Sequence, residues 1–342
     1  MHRWLLTRLL WSLVTLLGVT FVTFFVLECS PVDRAQLETV KAQSSGSFDD
    51  VEQRNEAIRQ LRVRYGMIDA KTGEPLPVWD RYTAWLGNAL TLQLAGPGED
   101  HEVFWRRLAA ALPVTLLLGG LALTIAVGLG LPVGTWLGRQ AGRKRERVAS
   151  TAMLVALGIP EFLLATMLLL VFSVVWLQWF PATGLRSNGS ERWLFVWQVL
   201  DFAHHLVLPV LVISIGPFVM VTRFVRDAVA RAATAPFAAS MHALGIDARV
   251  VRRRLLRHGA TPVATLAGGL LPMLVGGSIV VENLFALDGL GHLAFEAVLA
   301  QDQAMVMALV VLTSIVTLVA LLVSDVLHRL VDARVRLTGG TA

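Results

Sequence analysis

Long apolar runs recur along the chain and are separated by polar, arginine-rich segments. A transmembrane helix needs about 20 mostly apolar residues, and the runs show neither the alternation of a strand nor the stripe of a surface helix. The pattern therefore predicts an all-α integral membrane protein. It also predicts six transmembrane helices, at about 9–27, 112–138, 148–180, 206–222, 259–281 and 304–324. The first run lacks a small-residue cleavage site, so we expect a retained anchor.

Lysine and arginine set the expected orientation of these helices. Cytoplasmic loops of membrane proteins are rich in both residues. Here the basic residues cluster at the N-terminus, at 139–147, at 223–257 and in the tail. With six spans all four clusters fall on one side. Both termini are therefore expected in the cytoplasm, and the acidic segment 28–105 between the first two helices outside it.

The extracytoplasmic segment is expected to contain two helices. Residues 51–66 form a polar helix pattern that ends at a glycine, and residues 78–90 form a short amphipathic one. In the second helix Trp79, Tyr82 and Trp85 are residue types that favour a membrane interface. The expected organisation is an N-terminal anchor with this segment over 1–106, a transmembrane core over 107–330 and a cytoplasmic tail over 331–342.

Composition excludes several classes of function. The chain is 55% hydrophobic and 16% charged, with a mean hydropathy of +0.62, which is too apolar for an ordinary soluble domain. The net charge of +5 lies in loops between apolar runs, which argues against nucleic-acid binding. Cys29 is the single cysteine, so no intrachain disulfide forms. Because Glu28 precedes it, we expect a buried, inert thiol and no lipid attachment there.

No motif for catalysis occurs in the sequence. It contains neither the glycine-rich phosphate loop of ATPases nor a His-Glu-x-x-His metal helix. His204 and His205 are adjacent, so on a helix they point to different faces, and no metal site is expected. The chain is thus not predicted to be an enzyme or to hold a cofactor. Energy for transport must come from a partner, or from a gradient as in a secondary transporter or channel.

Small residues and prolines mark the predicted spans. Gly130, Gly134 and Gly138 line one helix face, and such residues allow helices to approach closely in lipid. A second set of glycines, in the fifth span, repeats the feature. Prolines are expected to break spans internally, as in transporters with broken helices around their pathway. These prolines are Pro132, Pro160, Pro209, Pro217 and Pro272.

Two acidic residues and a proline are candidates for the substrate pathway. Glu161 lies well inside the third span beside Pro160, where a charge is costly and usually faces a cavity or a partner. It would contact a cationic substrate group or pair with a neighbouring helix. Glu282 ends the fifth span on the outer side. It would meet incoming substrate or sit in water, and its position at the end of the run favours water.

The cytoplasmic loop 223–258 is the most informative segment. Pro236 can open a helix, on which Phe237, Met241 and Leu244 are spaced to share one face, and Gly245 ends or bends it. A short amphipathic helix of this kind suits docking into a groove on another protein. Basic helices next to a membrane also bind lipid headgroups, and the pattern alone leaves both open.

Several motifs in order give the chain a family resemblance over nearly its whole length. They are RLLWSLVTLLGVTFVTFFVL in the first span, PVWDRYTAWLGNAL in the outer segment, GIPEF in the third span, H-x-x-L-P at 205–209, ALDGLGHLAFEAVLAQD before the last span, and DARVR at 332–336. In these motifs the chain resembles the inner-membrane permeases of dipeptide and oligopeptide ABC importers, a family that includes nickel systems.

The resemblance implies a type I ABC importer permease fold in the cell inner membrane. It implies that the chain forms half of the pathway for di- or oligopeptides, with nickel or a peptide-like antibiotic as alternative substrates. The implied partners are a second permease subunit, two ATPase subunits or domains that bind ATP and Mg²⁺, an extracytoplasmic solute-binding protein and membrane lipid.

The resemblance also implies where the ATPase couples. The family's coupling motif is a pair of small residues, three variable positions and a glycine, and here that glycine is Gly245. Leu244 stands where the family usually has a basic residue. The residues expected to couple to the ATPase are Phe237, Ser240, Met241, Ala243, Leu244 and Gly245.

Overall fold

A computed structural model of the chain describes residues 2–29, 35–37, 39–40, 51–96, 99–247, 249–251, 253–255, 270 and 279–331. The regular elements in these ranges are helices, apart from one isolated bridge between Ile68 and Pro75. The α-helices are α1 (His2–Glu28), α2 (Val51–Arg64), α3 (Val78–Leu90), α4 (His101–Arg139), α5 (Lys144–Gly158), α6 (Glu161–Leu169), α7 (Phe195–Ala233), α8 (Pro236–Ala243), α9 (Ile279–Leu284), α10 (Leu290–Leu299) and α11 (Gln303–Val331).

Four described helices are long and apolar enough to cross a membrane. They lie within α1, α4, α7 and α11. A fifth candidate is a broken one, in which α5 and the segment 161–174 meet at 95°. Most of the fifth predicted run, 259–281, lies outside the described residues, as do the glycines predicted to pack there. The prediction of an all-α membrane architecture is confirmed, with four or five of its spans described.

The prolines behave differently from the prediction. Pro132 lies inside α4, and Pro209 and Pro217 lie inside α7, both of which continue through them. Only Pro160, between α5 and α6, stands at a break. The prediction was wrong for the first three because neighbouring helices and small local adjustments satisfy the backbone group that a proline frees in a membrane helix. Pro272 lies outside the described residues.

The chain divides into two compact units, Met1–Ala109 with Leu293–Ile315, and Ala110–His292 with Val316–Ala342. In the first unit α3 packs along α1 through aromatic rings. Phe21 stacks on Trp79 with ring centroids 5.1 Å apart, and Phe24 meets the edge of Tyr82 at 5.5 Å.

Tyr82 is buried in this contact, and its hydroxyl lies 3.1 Å from Thr20 Oγ1. The ring of Tyr82 therefore packs against α1, where its phenol has a hydrogen-bond partner. The suitability of this residue for a membrane interface stays a prediction. Trp79 remains largely exposed.

The second unit is centred on a close contact between α4 and α7. A Cβ atom placed on Gly134 would lie 2.6 Å from the Thr222 carbonyl oxygen and 2.8 Å from Val225 Cβ. Gly130 and Gly138 meet Val221 and Val229 just as closely. The predicted role of these glycines in close helix approach is confirmed, since any side chain there would push the two backbones apart.

Candidate functional site

Helix α8 forms where the sequence predicts it. Helix α7 runs on to Ala233, and Pro236 opens α8 after a short turn. Gly245 adopts a left-handed conformation, with φ of +66°. The turn it makes lets the Leu244 N–H donate to the Ser240 carbonyl at 3.0 Å and the Ile246 N–H to the Met241 carbonyl at 3.1 Å. Glycine suits this helix end because it has no Cβ to clash in that conformation.

Met241 and Leu244 do not share a face. Met241 is 4% exposed and packs in an apolar cluster with Val225 and Val229 of α7, whereas Leu244 is 76% exposed. The prediction of one common face was wrong because α8 ends at Ala243 and the turn at Gly245 carries Leu244 away from the cluster.

The remaining coupling candidates lie at the surface of α8 and its turn. Phe237 is 36% exposed, and the other candidates are also exposed: Ser240, Ala243, Leu244 and Gly245. Met241 thus attaches α8 to α7, whereas the other candidates are exposed on α8 and its turn.

Glu146, which sequence reasoning missed, ties α5 to α7. Its buried carboxylate accepts hydrogen bonds from Arg226 Nη2 at 2.8 Å and Nε at 3.1 Å, from Ser150 Oγ at 2.9 Å and from the Gly142 N–H at 3.3 Å. Arg226 also donates to Asp227. A single acid in the arginine-rich stretch 139–147 was the available signal, but its partner lies 80 residues further on.

Glu282 is completely buried, so the expectation that it sits in water is wrong. The turn after α9 folds back over the carboxylate and excludes solvent. Thr115 Oγ1 donates to Glu282 Oε1 at 2.9 Å and the His292 N–H donates to Oε2 at 3.0 Å. Thr115 Oγ1 also accepts the Leu290 N–H at 2.8 Å. The carboxylate and the threonine therefore hold the start of α10 against α4.

The backbone of Gly289 lies close against the side chains of Glu282 and Thr115. A Cβ atom there would lie 2.5 Å from Glu282 Oε2 and 2.7 Å from Thr115 Oγ1. The glycine in the ALDGLGH motif is thus required by the carboxylate that lies beneath it.

The loop between α6 and α7 is held by Asp201. Its carboxylate accepts the Ser187 N–H at 2.8 Å and the Ser187 hydroxyl at 2.6 Å. The Gly184 N–H donates to the Phe285 carbonyl at 2.8 Å, next to α9. His205 lies beside Asp201. The described residues contain no group of His, Cys, Asp or Glu that would hold a metal ion.

Pro160 and Glu161 lie together at the bend between α5 and α6. Pro160 immediately precedes α6, and Glu161 is its first residue and is exposed. No described residue forms an ion pair with Glu161. The structure places this carboxylate at the one described break in a span, and its predicted contact with substrate or a neighbouring helix stays a prediction.

Helices of spanning length, joined to one another by buried polar groups, define a multi-pass membrane protein. Residues 130–337, more than half of the chain, match the family described as binding-protein-dependent transport system inner membrane component. The chain belongs to this family, and it is accordingly a non-catalytic, multi-pass inner-membrane permease.

Curated relatives match almost end to end. The oligopeptide transport system permease protein OppB of Mycobacterium bovis is 30% identical over 99% of this chain and 100% of its own. The oligopeptide transport system permease protein AppB of Bacillus subtilis is 28% identical over 98% and 99%. The dipeptide transport system permease protein DppB of Lactococcus lactis is 24% identical over 98% and 100%.

Proposed function

We propose that this chain forms half of the translocation pathway of an ATP-driven importer of di- and oligopeptides. The observation that carries the proposal is the end-to-end similarity to permeases named for oligopeptide and dipeptide transport. Similarity over the full length covers the pathway-forming spans as well as the loops.

The proposed topology has six spans with both termini in the cytoplasm and residues 28–105 outside. It is supported by the basic clusters on one side of the predicted spans and by the four or five spans described. We keep the division into an anchor with outer segment at 1–106, a core at 107–330 and a tail at 331–342 as part of the proposal.

The proposed assembly contains a second permease subunit, two ATPase subunits or domains and an extracytoplasmic solute-binding protein. The family description, which names dependence on a binding protein, supports it. ATP and Mg²⁺ would bind the ATPase partners, so this chain needs no cofactor of its own.

The surface formed by Ser240, Ala243, Leu244 and Gly245 is the proposed contact with an ATPase. Met241 fixes α8 to the apolar cluster of α7, so a displacement of α8 moves the cytoplasmic end of α7 with it. Arg226 then passes the displacement to α5 through Glu146. Pro160 and Glu161, at the far end of α5, are the proposed pathway residues that respond.

The test is a charge placed on the exposed tip of α8. Leu244→Asp should leave the amount of chain in the membrane unchanged and abolish both co-purification of the ATPase and peptide uptake, because a carboxylate would be buried unpaired in the contact. Leu90→Asp is the matched control, since Leu90 is 80% exposed at the end of α3. Normal uptake by Leu244→Asp would reject the coupling surface.

Met241→Asp distinguishes the attachment of α8 to α7 from the proposed contact with the ATPase. Because Met241 is buried in the chain's own cluster, a charge there should lower the amount of folded chain as well as uptake. Normal amounts of folded Met241→Asp chain would contradict the assignment of Met241 as the attachment of α8.

A further inference from the structure

A cavity of about 350 Å³ lies in the first unit, where α1 ends. Its volume falls at the lower end of the roughly 300–1,000 Å³ of small-molecule sites. Most of its lining comes from the outer segment, over residues 64–96. The rest comes from the last turn of α1 and the first turns of α11.

The charged groups of the described lining balance. Glu28 and Asp80 are acidic, and Arg64 and Arg81 are basic. Arg81 donates to Glu28, and each of these two side chains is only 15% exposed. Neither Arg64 nor Asp80 has an ion-pair partner among the described residues. Two carboxylates and two guanidinium groups around one small space suit a ligand that carries both charges, since a simple anion or cation would meet repulsion from half of them.

The uncharged residues of the lining suit the part of such a ligand that lies between its two charged ends. Asn88, Gln93 and Gln303 present side-chain amides, which donate to and accept from a peptide group. Phe24 and Trp85 present apolar ring surface in the same cavity. A largely desolvated Glu28–Arg81 pair is costly for stability alone, and it makes charge-assisted hydrogen bonds available to a ligand that enters.

We propose that this cavity binds a small zwitterion of the amino-acid type, with its ammonium group at Glu28 and Asp80 and its carboxylate at Arg81 and Arg64. The zwitterionic class follows from the four charges, whereas the choice of a short peptide as the ligand rests on the proposed function. The residues that line the cavity include neither Pro160 and Glu161 nor any residue of α8.

A zwitterionic phospholipid headgroup shares the ammonium and the anionic oxygen, so the test must distinguish it from a soluble ligand. The full-length chain is placed in nanodiscs made only of phosphatidylglycerol, which lacks an ammonium group, and titrated with L-alanyl-L-alanine by calorimetry. Saturable binding is expected, and addition of phosphatidylethanolamine to the discs should leave its affinity unchanged. The N-acetylated, C-amidated dipeptide should bind at least about tenfold more weakly, because both charges are gone.

Two variants locate the binding. Glu28→Gln with Arg81→Gln removes the charge pair, and Ala84→Phe fills the cavity from α3 without touching any charge. Each should weaken dipeptide binding by at least about tenfold. The control is Glu56→Gln with Arg59→Gln, the same two changes on the exposed surface of α2, which should bind as the unmodified chain does.

Three results would overturn the site. They are absence of dipeptide binding in phosphatidylglycerol discs, equal binding of the blocked dipeptide, and binding retained by both cavity variants. Displacement of the dipeptide by phosphatidylethanolamine would assign the cavity to lipid and also overturn the proposal. Failure of the transport proposal is recognised separately, as loss of ATPase association and uptake in a chain that still binds the dipeptide.

Discussion

Arg226 on α7 reaches Glu146 at the start of α5, with Nη2 2.8 Å from Oε1. The same carboxylate also receives the Ser150 hydroxyl and the Gly142 N–H, so the loop 140–143 and the first turn of α5 are joined to α7 at one point. This junction lies shortly before the end of α7 at Ala233, beyond which α8 begins. The proposed coupling from α8 to α5 would therefore run through this ion pair.

Arg226→Gln should destabilise the chain and uncouple ATP hydrolysis from uptake. Glu146 is buried, so loss of its cation leaves a poorly solvated carboxylate. Because Arg226 itself is 31% exposed, we expect the free energy of unfolding to fall by about 1–2 kcal/mol. This loss is below the full cost of breaking a buried ion pair. Thermal unfolding and the ratio of ATP hydrolysed to peptide taken up measure the two effects.

Arg231→Gln is the control, since Arg231 is exposed on the same helix. The double variant Glu146→Gln with Arg226→Gln should be more stable than Arg226→Gln alone, because no buried carboxylate is left without its cation and Asp227 is half exposed. An Arg226→Gln chain as tightly coupled as the unmodified one would show that the pair is structural only.

Gly134→Ala should disrupt the contact between α4 and α7. The added Cβ would lie 2.6 Å from the Thr222 carbonyl oxygen, a backbone atom that cannot rotate away. Overpacking of this kind costs roughly 1–3 kcal/mol. The amount of chain in the membrane and its unfolding temperature measure it.

Gly128→Ala is the matched control on the same helix, because nothing lies within 4 Å of a Cβ atom there. It should be neutral or stabilising by up to about 1 kcal/mol, as alanine favours a helix over glycine. Equal effects of the two substitutions would mean that helix propensity, and not close approach, governs this face.

Helices whose position and ends depend on neighbouring residues could be predicted from the sequence. Apolar runs predicted the spans, Pro236 and Gly245 predicted both ends of α8, and the amphipathic pattern predicted α3. The glycines of α4 also predicted a close contact. The helix that meets them was not predictable, since glycine carries no information about its partner.

The wrong predictions have three physical causes: contacts between distant residues, a helix that ends early, and the membrane environment. Whether Glu282 faces water depends on the loop that folds back over it and on Thr115, 167 residues away. Met241 and Leu244 were assigned one face because a periodic pattern assumes that the helix continues, whereas α8 ends between them. The prolines of α4 and α7 failed to break their helices because a membrane environment relaxes a rule that holds in water.

Glu282→Ala should be among the most destabilising substitutions in the chain. It removes the acceptor of the buried Thr115 hydroxyl, at about 1–3 kcal/mol, and it removes the carboxylate that accepts from the partly buried His292 N–H, at a smaller cost. Glu282→Gln keeps a carbonyl oxygen for one of them and should lie in between. Thermal unfolding orders the variants.

Glu296→Gln is the comparison, because Glu296 on α10 is half exposed and its closest approach to Arg107 is 4.0 Å. Loss of such a surface pair should change stability by about 0.5 kcal/mol or less. If Glu282→Ala unfolds no earlier than Glu296→Gln, the buried carboxylate does not hold α10 in place.

Cys29 is exposed just after α1 ends, so the expectation that it is buried is wrong, because the end of the helix leaves its side chain uncovered. As the single cysteine, it offers a direct test of orientation. A membrane-impermeant maleimide should label Cys29 in sealed right-side-out vesicles, since residues 28–105 are proposed to lie outside. In a Cys29→Ser background, a cysteine substituted for Leu244 should react only after the vesicles are permeabilised.

The two positions control for each other, because both are exposed and each reports on one side. Labelling of both before permeabilisation would mean leaking vesicles. Labelling of Leu244→Cys alone from outside would invert the topology, and an ATPase in the cytoplasm would then have no access to α8. That outcome would refute the coupling surface and the proposed orientation of the six spans, because a turn outside the cell cannot contact an ATPase in the cytoplasm.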